Sequence, residues 1–148
     1  MSISGKVAFA TTEKVRDQCL CLHVQRAARA LARRFDDALR PCRLTNGQFS
    51  LLMALNRTDP PSIGSVAALL AMDRTTLTAA LKPLARRRLL RISADPKDRR
   101  SRLLALTSAG NAALASAVPV WQSTHATLET LLSGAGVGSL RRKLRALS

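Results

Sequence analysis

The sequence predicts a mainly α-helical chain with one small β-hairpin. Six segments space their apolar residues at three- and four-residue steps, as amphipathic helices do. Two short alternating segments, near residues 90–92 and 104–106, flank a basic loop, as half-buried strands do. Only 7 Gly and 6 Pro occur in 148 residues, and 47% of the chain is apolar. That is enough apolar content for a real core and speaks against disorder.

The first helix is expected from about Glu13 to Leu39, after an N-terminal tail over residues 1–12. Val24, Ala28, Leu31, Phe35 and Leu39 form its stripe, and Pro41 stops it. At some 25 residues it exceeds what a small domain needs for its own core, so residues 13–40 read as a dimerisation helix. The next helix starts at Thr45, which forms a capping-box pattern with Gln48 ahead of Phe49, Leu51, Leu52 and Leu55. Asp59-Pro60-Pro61 makes a rigid link. Ser62 then caps a short helix holding Ile63, Val66, Leu69 and Leu70.

Asp73 is the N-cap of a fourth helix, Arg74 to about Arg87. Its inward stripe is Leu77, Ala80, Leu81 and Leu84. The opposite side carries Arg74, Thr75, Thr78, Lys82 and Arg86, with no acid among them. A short helix, a tight turn and a second helix with a bare cationic face form a helix-turn-helix pattern. The alternative is a merely solvated basic face. Ala94 to Arg102 forms the basic loop between the two strands, and such a hairpin directly after a helix-turn-helix makes a wing. The winged helix-turn-helix domain therefore spans residues 44–106. An arginine of the wing suits an adjacent minor groove, where narrow A·T-rich DNA concentrates negative potential.

From Thr107, an N-cap, a long helix carries Leu114, Val118, Trp121, His125, Leu128 and Leu132 at heptad-like steps. Pro119 lies within it, and a break is expected over Gly134–Gly138. Val137, Leu140, Leu144 and Leu147 stripe a final helix whose outer face is Arg141, Arg142, Lys143 and Arg145. No second core covers these stripes, so residues 107–148 read as C-terminal dimerisation helices.

Composition narrows function. There are 24 Lys+Arg against 9 Asp+Glu, a net charge of +15, which calls for a polyanionic partner. Residues 73–102 alone hold ten Lys/Arg against three Asp. With no Tyr, three Phe and one Trp, the chain lacks the aromatic platforms that single-strand readers use. No run is long and apolar enough to span a membrane, and Met1 to Ala10 does not read as a signal peptide. Cys19, Cys21 and Cys42 are an odd number, so a reduced, cytoplasmic setting is expected. No zinc-finger spacing, phosphate loop or nucleophile motif appears. Neither enzyme activity, cofactor nor metal is expected.

Four runs together carry a resemblance. They are Leu44-Thr45-Asn46-Gly47-Gln48-Phe49, Leu77-Thr78-x-x-Leu81-x-x-Leu84, Asp95-Pro96-x-Asp98-Arg99-Arg100 and Leu106-Thr107-x-x-Gly110. Over roughly residues 15–147 the chain resembles the MarR (multiple antibiotic resistance regulator) family. The resemblance implies a homodimeric winged helix-turn-helix transcription regulator, usually a repressor released by a small ligand or an oxidant. By position, Arg74, Thr75, Thr76, Thr78 and Lys82 would read the groove or touch phosphate, with Arg86 further along the same face. Arg100 would enter the minor groove, oriented by Asp98 through a charge-assisted hydrogen bond, and Arg99 would contact phosphate. The chain departs from the family at Arg88, where a glycine is usual; this costs about 1 kcal/mol if the backbone stays left-handed.

Cys21 falls where the hydroperoxide-sensing branch of the family has its reactive cysteine. That branch holds the thiolate with tyrosines, which this chain lacks; Asn46 stands where one would be expected. His23 and His125 form no ligand set of the zinc-sensing kind. The expected partners are double-stranded DNA with a pseudo-palindromic operator, a second copy of the chain, and a small aromatic or anionic effector. Two other readings stay open: an oxidant-sensing repressor using Cys21, and a non-specific, nucleoid-type basic protein.

Overall fold

In a computed structural model of the chain, the structure describes residues 5–132 and 136–148. The break expected at Gly134 lies partly outside these residues. The chain divides into two compact units, with the boundary between Arg34 and Phe35.

The N-terminal unit contains α1 (Phe9–Gln18) and most of α2 (Leu20–Leu39). The single helix expected from Glu13 is therefore two, and the first begins at Phe9. Cys19 breaks it with an extended backbone (φ −69°, ψ 111°). The Cys19 N–H still closes α1 on the Val15 carbonyl at 3.0 Å. Its sulfur then accepts the Leu22 N–H at 3.5 Å, so the residue caps α2 as a serine would. The apolar stripe from Val24 to Leu39 begins after this point, and residues 13–18 are mostly polar, so periodicity carries no mark of the break. No described residue of this unit is buried. Val24 and Leu31 are 40% and 43% exposed, so α2 presents an apolar face without a core of its own.

The second unit takes the end of α2 and a 3-10 turn, Arg40–Cys42, at Pro41. There follow α3 (Asn46–Leu55), α4 (Ile63–Leu69), α5 (Arg74–Arg86), β1 (Leu90–Asp95), β2 (Asp98–Leu106), α6 (Ser108–Leu131) and α7 (Val137–Arg145). Each predicted cap is present. Thr45 and Gln48 complete a capping box, Ser62 accepts the Ser65 N–H, Asp73 the Thr76 N–H and Thr107 the Gly110 N–H. Each satisfies an amide that the helix itself leaves without a partner.

The ends of α4 and α5 are equally well defined. After α5, the Arg88 N–H reaches the Ala85 carbonyl at 3.0 Å and the Leu89 N–H reaches Leu84 at 3.0 Å. This double closure requires a left-handed residue at Arg88, and its φ is 57°. The arginine thus keeps the conformation that the family's glycine would favour. Ala71 does the same after α4, with φ 52° and bonds from Ala71 to Ala68 and from Met72 to Ala67.

The core of this unit is aliphatic. Its largest fully buried side chains include Leu39, Leu52, Leu77, Leu81, Leu84 and Leu104. Among the described residues no polar or charged side chain is buried. Leu114 and Ala117 bring α6 into this core. Gly110 makes its approach possible, because a Cβ there would lie 1.9 Å from the Leu89 carbonyl oxygen. Val137 is the buried residue of α7, while Leu140 and Leu144 are 41% and 43% exposed.

The hairpin is longer than expected. The segment read as a loop over residues 94–102 is mostly strand, with Pro96 and Lys97 as the turn. β1 and β2 pair antiparallel from Leu90↔Leu106 to Ala94↔Arg102, then slip to Asp95↔Asp98. Residues 99–101 therefore bulge from β2 without partners on β1. Beyond the hairpin, Leu103 bridges Ser62, and the Leu104 N–H donates to the Pro61 carbonyl at 2.9 Å. That non-local tie fixes the start of α4 beside the wing.

Candidate nucleic-acid interface

The helix-turn-helix consists of α4, the Ala71 turn and α5. Leu77, Leu81 and Leu84 are fully buried, which turns the opposite side of α5 outward. Arg74, Thr75, Thr76, Thr78, Lys82 and Arg86 are all exposed. Thr76 plays a different part from that expected. Its N–H and hydroxyl both donate to the Asp73 carboxylate, at 2.7 and 2.9 Å. These bonds hold the Asp73 carboxyl below its ordinary value, backbone contact first and hydroxyl second. Thr76 thereby completes the cap and commits its hydroxyl to the protein.

In the wing, Asp95 accepts the Lys97 N–H at 2.9 Å and Asp98 accepts the Arg100 N–H at 3.0 Å. Both are turns in which a short carboxylate reaches the amide two residues on. The expected pairing of Asp98 with the Arg100 guanidinium is therefore corrected: the carboxylate bonds the backbone of Arg100 and shapes the bulge. The reason is reach, since the i+2 amide lies closer than the end of a long side chain. Arg102 spans the base of the bulge, donating to the Arg99 and Ser101 carbonyls at 3.4 Å each.

α5 and the wing share a groove of about 480 Å³ lined by Ser62, Ile63, Gly64, Arg74, Thr78, Asp98, Arg100, Ser101 and Arg102. The structure thus brings together Arg74, Thr78, Asp98 and Arg100 from the predicted set. Lys82, Arg86 and Arg99 stand outside the groove on the exposed surface. Ser62, Gly64 and Arg102 join through the non-local Ser62–Leu103 bridge, which no local pattern announces. Among the described residues the ion pairs are Arg16–Asp17, Arg40–Asp37 and the Glu129 contacts with Arg141 and His125. The cations of α5 and the wing neutralise no internal carboxylate.

A second cavity, about 400 Å³ and apolar, is lined by Phe49, Ser50, Met53, Ala54, Leu69, Leu70, Val118 and Trp121. Trp121 stacks on Phe49 (centroids 6.3 Å apart) and on His125 (4.9 Å). Glu129 continues this line, 3.5 Å from His125 and 2.7 Å from Arg141 of α7.

The cysteines are all free. Cys21 is exposed, with the Gln25 amide donating to its sulfur at 3.2 Å. Cys42 lies 3.8 Å from the Ser116 carbonyl. Asn46 is engaged elsewhere: its backbone and side-chain N–H groups both donate to Asp36, at 2.7 and 2.8 Å. Those bonds hold the Asp36 carboxyl below its ordinary value. Among the described residues no group of three His, Cys, Asp or Glu is placed to hold a metal, and no helix is long and apolar enough to cross a membrane.

Comparison with known proteins agrees with this geometry. Residues 44–101 match the MarR family model. The chain is 36% identical over 76 residues to the transcriptional repressor NicR of Pseudomonas putida, a match covering 51% of this chain and 48%, about half, of that protein. It is 37% identical to the Mycobacterium tuberculosis transcriptional regulator MosR, solved in complex with DNA, with a TM-score of 0.80 over 88% of this chain and 93% of that one. It is similar also to Bordetella bronchiseptica BpsR, described as regulated in DNA binding by 6-hydroxynicotinic acid. That match has 28% identity and a TM-score of 0.76, over 88% of this chain and 98% of that one.

Proposed function

Because the chain belongs to the MarR family of transcriptional regulators, we propose that it is a homodimeric repressor that reads a pseudo-palindromic duplex and releases it when a small aromatic molecule binds. The observation that carries the reading is the shared groove. Arg74 and Thr78 of the recognition helix line it together with Arg100 and Arg102 of the wing. None of these cations is spent on an internal ion pair. A recognition helix in the major groove would place the wing over the neighbouring backbone and minor groove. Two copies would present half-sites about one turn, roughly 10 bp, apart.

Selection of bound duplexes from a random library, followed by footprinting, tests this. A two-fold symmetric site bound at least about a thousandfold more tightly than its scrambled version is expected. A ratio near one in moderate salt would instead favour binding by charge alone.

Release is assigned to the apolar cavity between α3, α4 and α6. Its lining includes Phe49 and Trp121 and no charged side chain, so it suits an aromatic ring more than a carboxylate, which would lose its hydration there without a counter-charge. BpsR, with its 6-hydroxynicotinic acid, offers a precedent for the aromatic ring but not for an uncharged molecule, and a carboxylate on such a ring would need to stay outside the apolar lining. Thermal-shift screening of neutral and anionic aromatic compounds, followed by gel shift, separates the two.

A further inference from the structure

Gly64 is the second residue of α4, a position where glycine is unfavourable by propensity. Its backbone gives no reason for it, because Gly136 is the glycine with positive φ among the described residues. The surroundings do. A Cβ at Gly64 would lie 2.8 Å from Nη2 of Arg74, 3.5 Å from its Cζ and 3.9 Å from its Nε. The Arg74 guanidinium lies across α4 in the volume that any other residue's side chain would fill. It does not project straight off the exposed face of α5, where Lys82 and Arg86 stand.

We propose that Gly64 is a positioning residue for DNA binding. By leaving room over α4 it holds the Arg74 guanidinium in the groove beside Arg100 and Arg102, where Arg74 contacts the sugar–phosphate backbone rather than base edges. The inference rests on the reading of α5 and the wing as the DNA-binding surface. The character of the groove names the ligand chemistry. Arg74, Arg100 and Arg102 supply charged donors, and Ser62 and Thr78 supply hydroxyls. Its one carboxylate, Asp98, is held by the Arg100 amide. Such a donor-rich set matches phosphate oxygens, which carry no sequence information.

The geometry also says that a methyl group at position 64 is tolerable. The atom it meets is the far end of a flexible side chain, so the guanidinium moves and the backbone stays. Gly64→Ala separates binding from stability for this reason.

The experiment measures binding of the full chain to a duplex selected by the wild-type protein and to a scrambled duplex, each across a salt series. For Gly64→Ala, affinity for both duplexes should fall by about tenfold and the slope of log K against log salt should shrink by about two, one for each subunit of the dimer. The melting temperature should be equal to or above that of the wild type. Arg74→Ala alters an exposed side chain and should give the same two binding changes. Adding Gly64→Ala to Arg74→Ala should change nothing further.

Wild-type affinity retained by Gly64→Ala would overturn the proposal. So would a further loss in the Arg74→Ala background, since the methyl would then be obstructing DNA directly. A loss confined to the selected duplex would make Arg74 a base reader and refute the phosphate assignment. Failure of the wild type to bind any duplex would instead remove the DNA-binding reading beneath the proposal, a result that the mutants cannot mimic.

Discussion

Substituting Gly110 by alanine should be severely destabilising, and the structure indicates by how much. The Leu89 carbonyl accepts the Thr107 N–H at 3.1 Å. The Thr107 hydroxyl donates to the Arg88 carbonyl at 2.6 Å and accepts the Gly110 N–H at 3.0 Å. These bonds lock the first turn of α6 against the segment leaving α5. A methyl at position 110 would sit 1.9 Å from the Leu89 oxygen, 2.9 Å from its carbon and 3.3 Å from Leu106 Cδ2. The first two obstacles are backbone, so no rotamer change relieves them; α6 must lift by about an ångström or more. Overpacking of this kind costs about 1–3 kcal/mol. Losing two of the three bonds adds about 1 kcal/mol each. The sum, about 3–5 kcal/mol, is a large share of the 5–15 kcal/mol that stabilises an ordinary domain.

Urea unfolding at fixed protein concentration measures it, and the concentration must be fixed because a dimer's stability depends on it. With a slope of about 2 kcal/mol/M the midpoint should fall by about 1.5–2.5 M. A midpoint within about 0.3 M of the wild type would refute the locked-turn account, and with it the explanation of why this motif ends in glycine.

Other outcomes follow from the same geometry. Arg100→Ala should weaken binding to the selected duplex by about tenfold without lowering the melting temperature. Asp98→Asn should bind nearly as well as wild type, because an amide oxygen also accepts the Arg100 N–H, whereas Asp98→Ala should lose affinity as the bulge loosens. Equal losses in both Asp98 variants, read by fluorescence anisotropy, would restore a charge-based role. Ala71→Gly should stabilise by about 0.5–1 kcal/mol by relieving the left-handed backbone, seen as a higher melting temperature. Asp36 and Asp73 have folded values depressed below the ordinary 3.8, so both bind protons more weakly when folded. Their contribution is complete above that value and disappears as pH falls below it toward the folded values. The wild type should lose more stability in acid than Asp36→Asn/Asp73→Asn, measured by thermal melts across the acidic range.

What could be read in advance divides by the range of the interaction. Thr45, Ser62, Asp73 and Thr107 each cap an amide three residues away, so their roles are written within a few letters of sequence. The stripe of Leu77, Leu81 and Leu84 is equally local, and it places the exposed face of α5. The break at Cys19 leaves no such mark, because the apolar stripe of α2 begins only at Val24 and the residues before Cys19, Glu13 to Gln18, are mostly polar. The motif places Asp98 on the wing but not its partner, since the carboxylate's short reach selects the Arg100 amide over the guanidinium. The proximity of Gly64 to Arg74 depends on the packing of α4 on α5, and their sharing a groove with the wing depends on the bridge from Ser62 to Leu103, about forty residues apart in the sequence.

The aliphatic core has a consequence for motion. Buried hydrogen-bond networks specify a single arrangement, because shifting them leaves polar groups without partners. The core around α5 contains leucines and a few other apolar residues, and among the described residues no buried polar side chain. Within that core a small tilt of α5 breaks no side-chain hydrogen bond; the directional ties lie at its C-terminal end, where the Arg88 carbonyl accepts the Thr107 hydroxyl and the Arg87 guanidinium donates to the Arg43 carbonyl. A regulator that must alter the separation of two recognition helices gains from such a core a low barrier between its arrangements, while hydrophobic exclusion keeps every one of them folded.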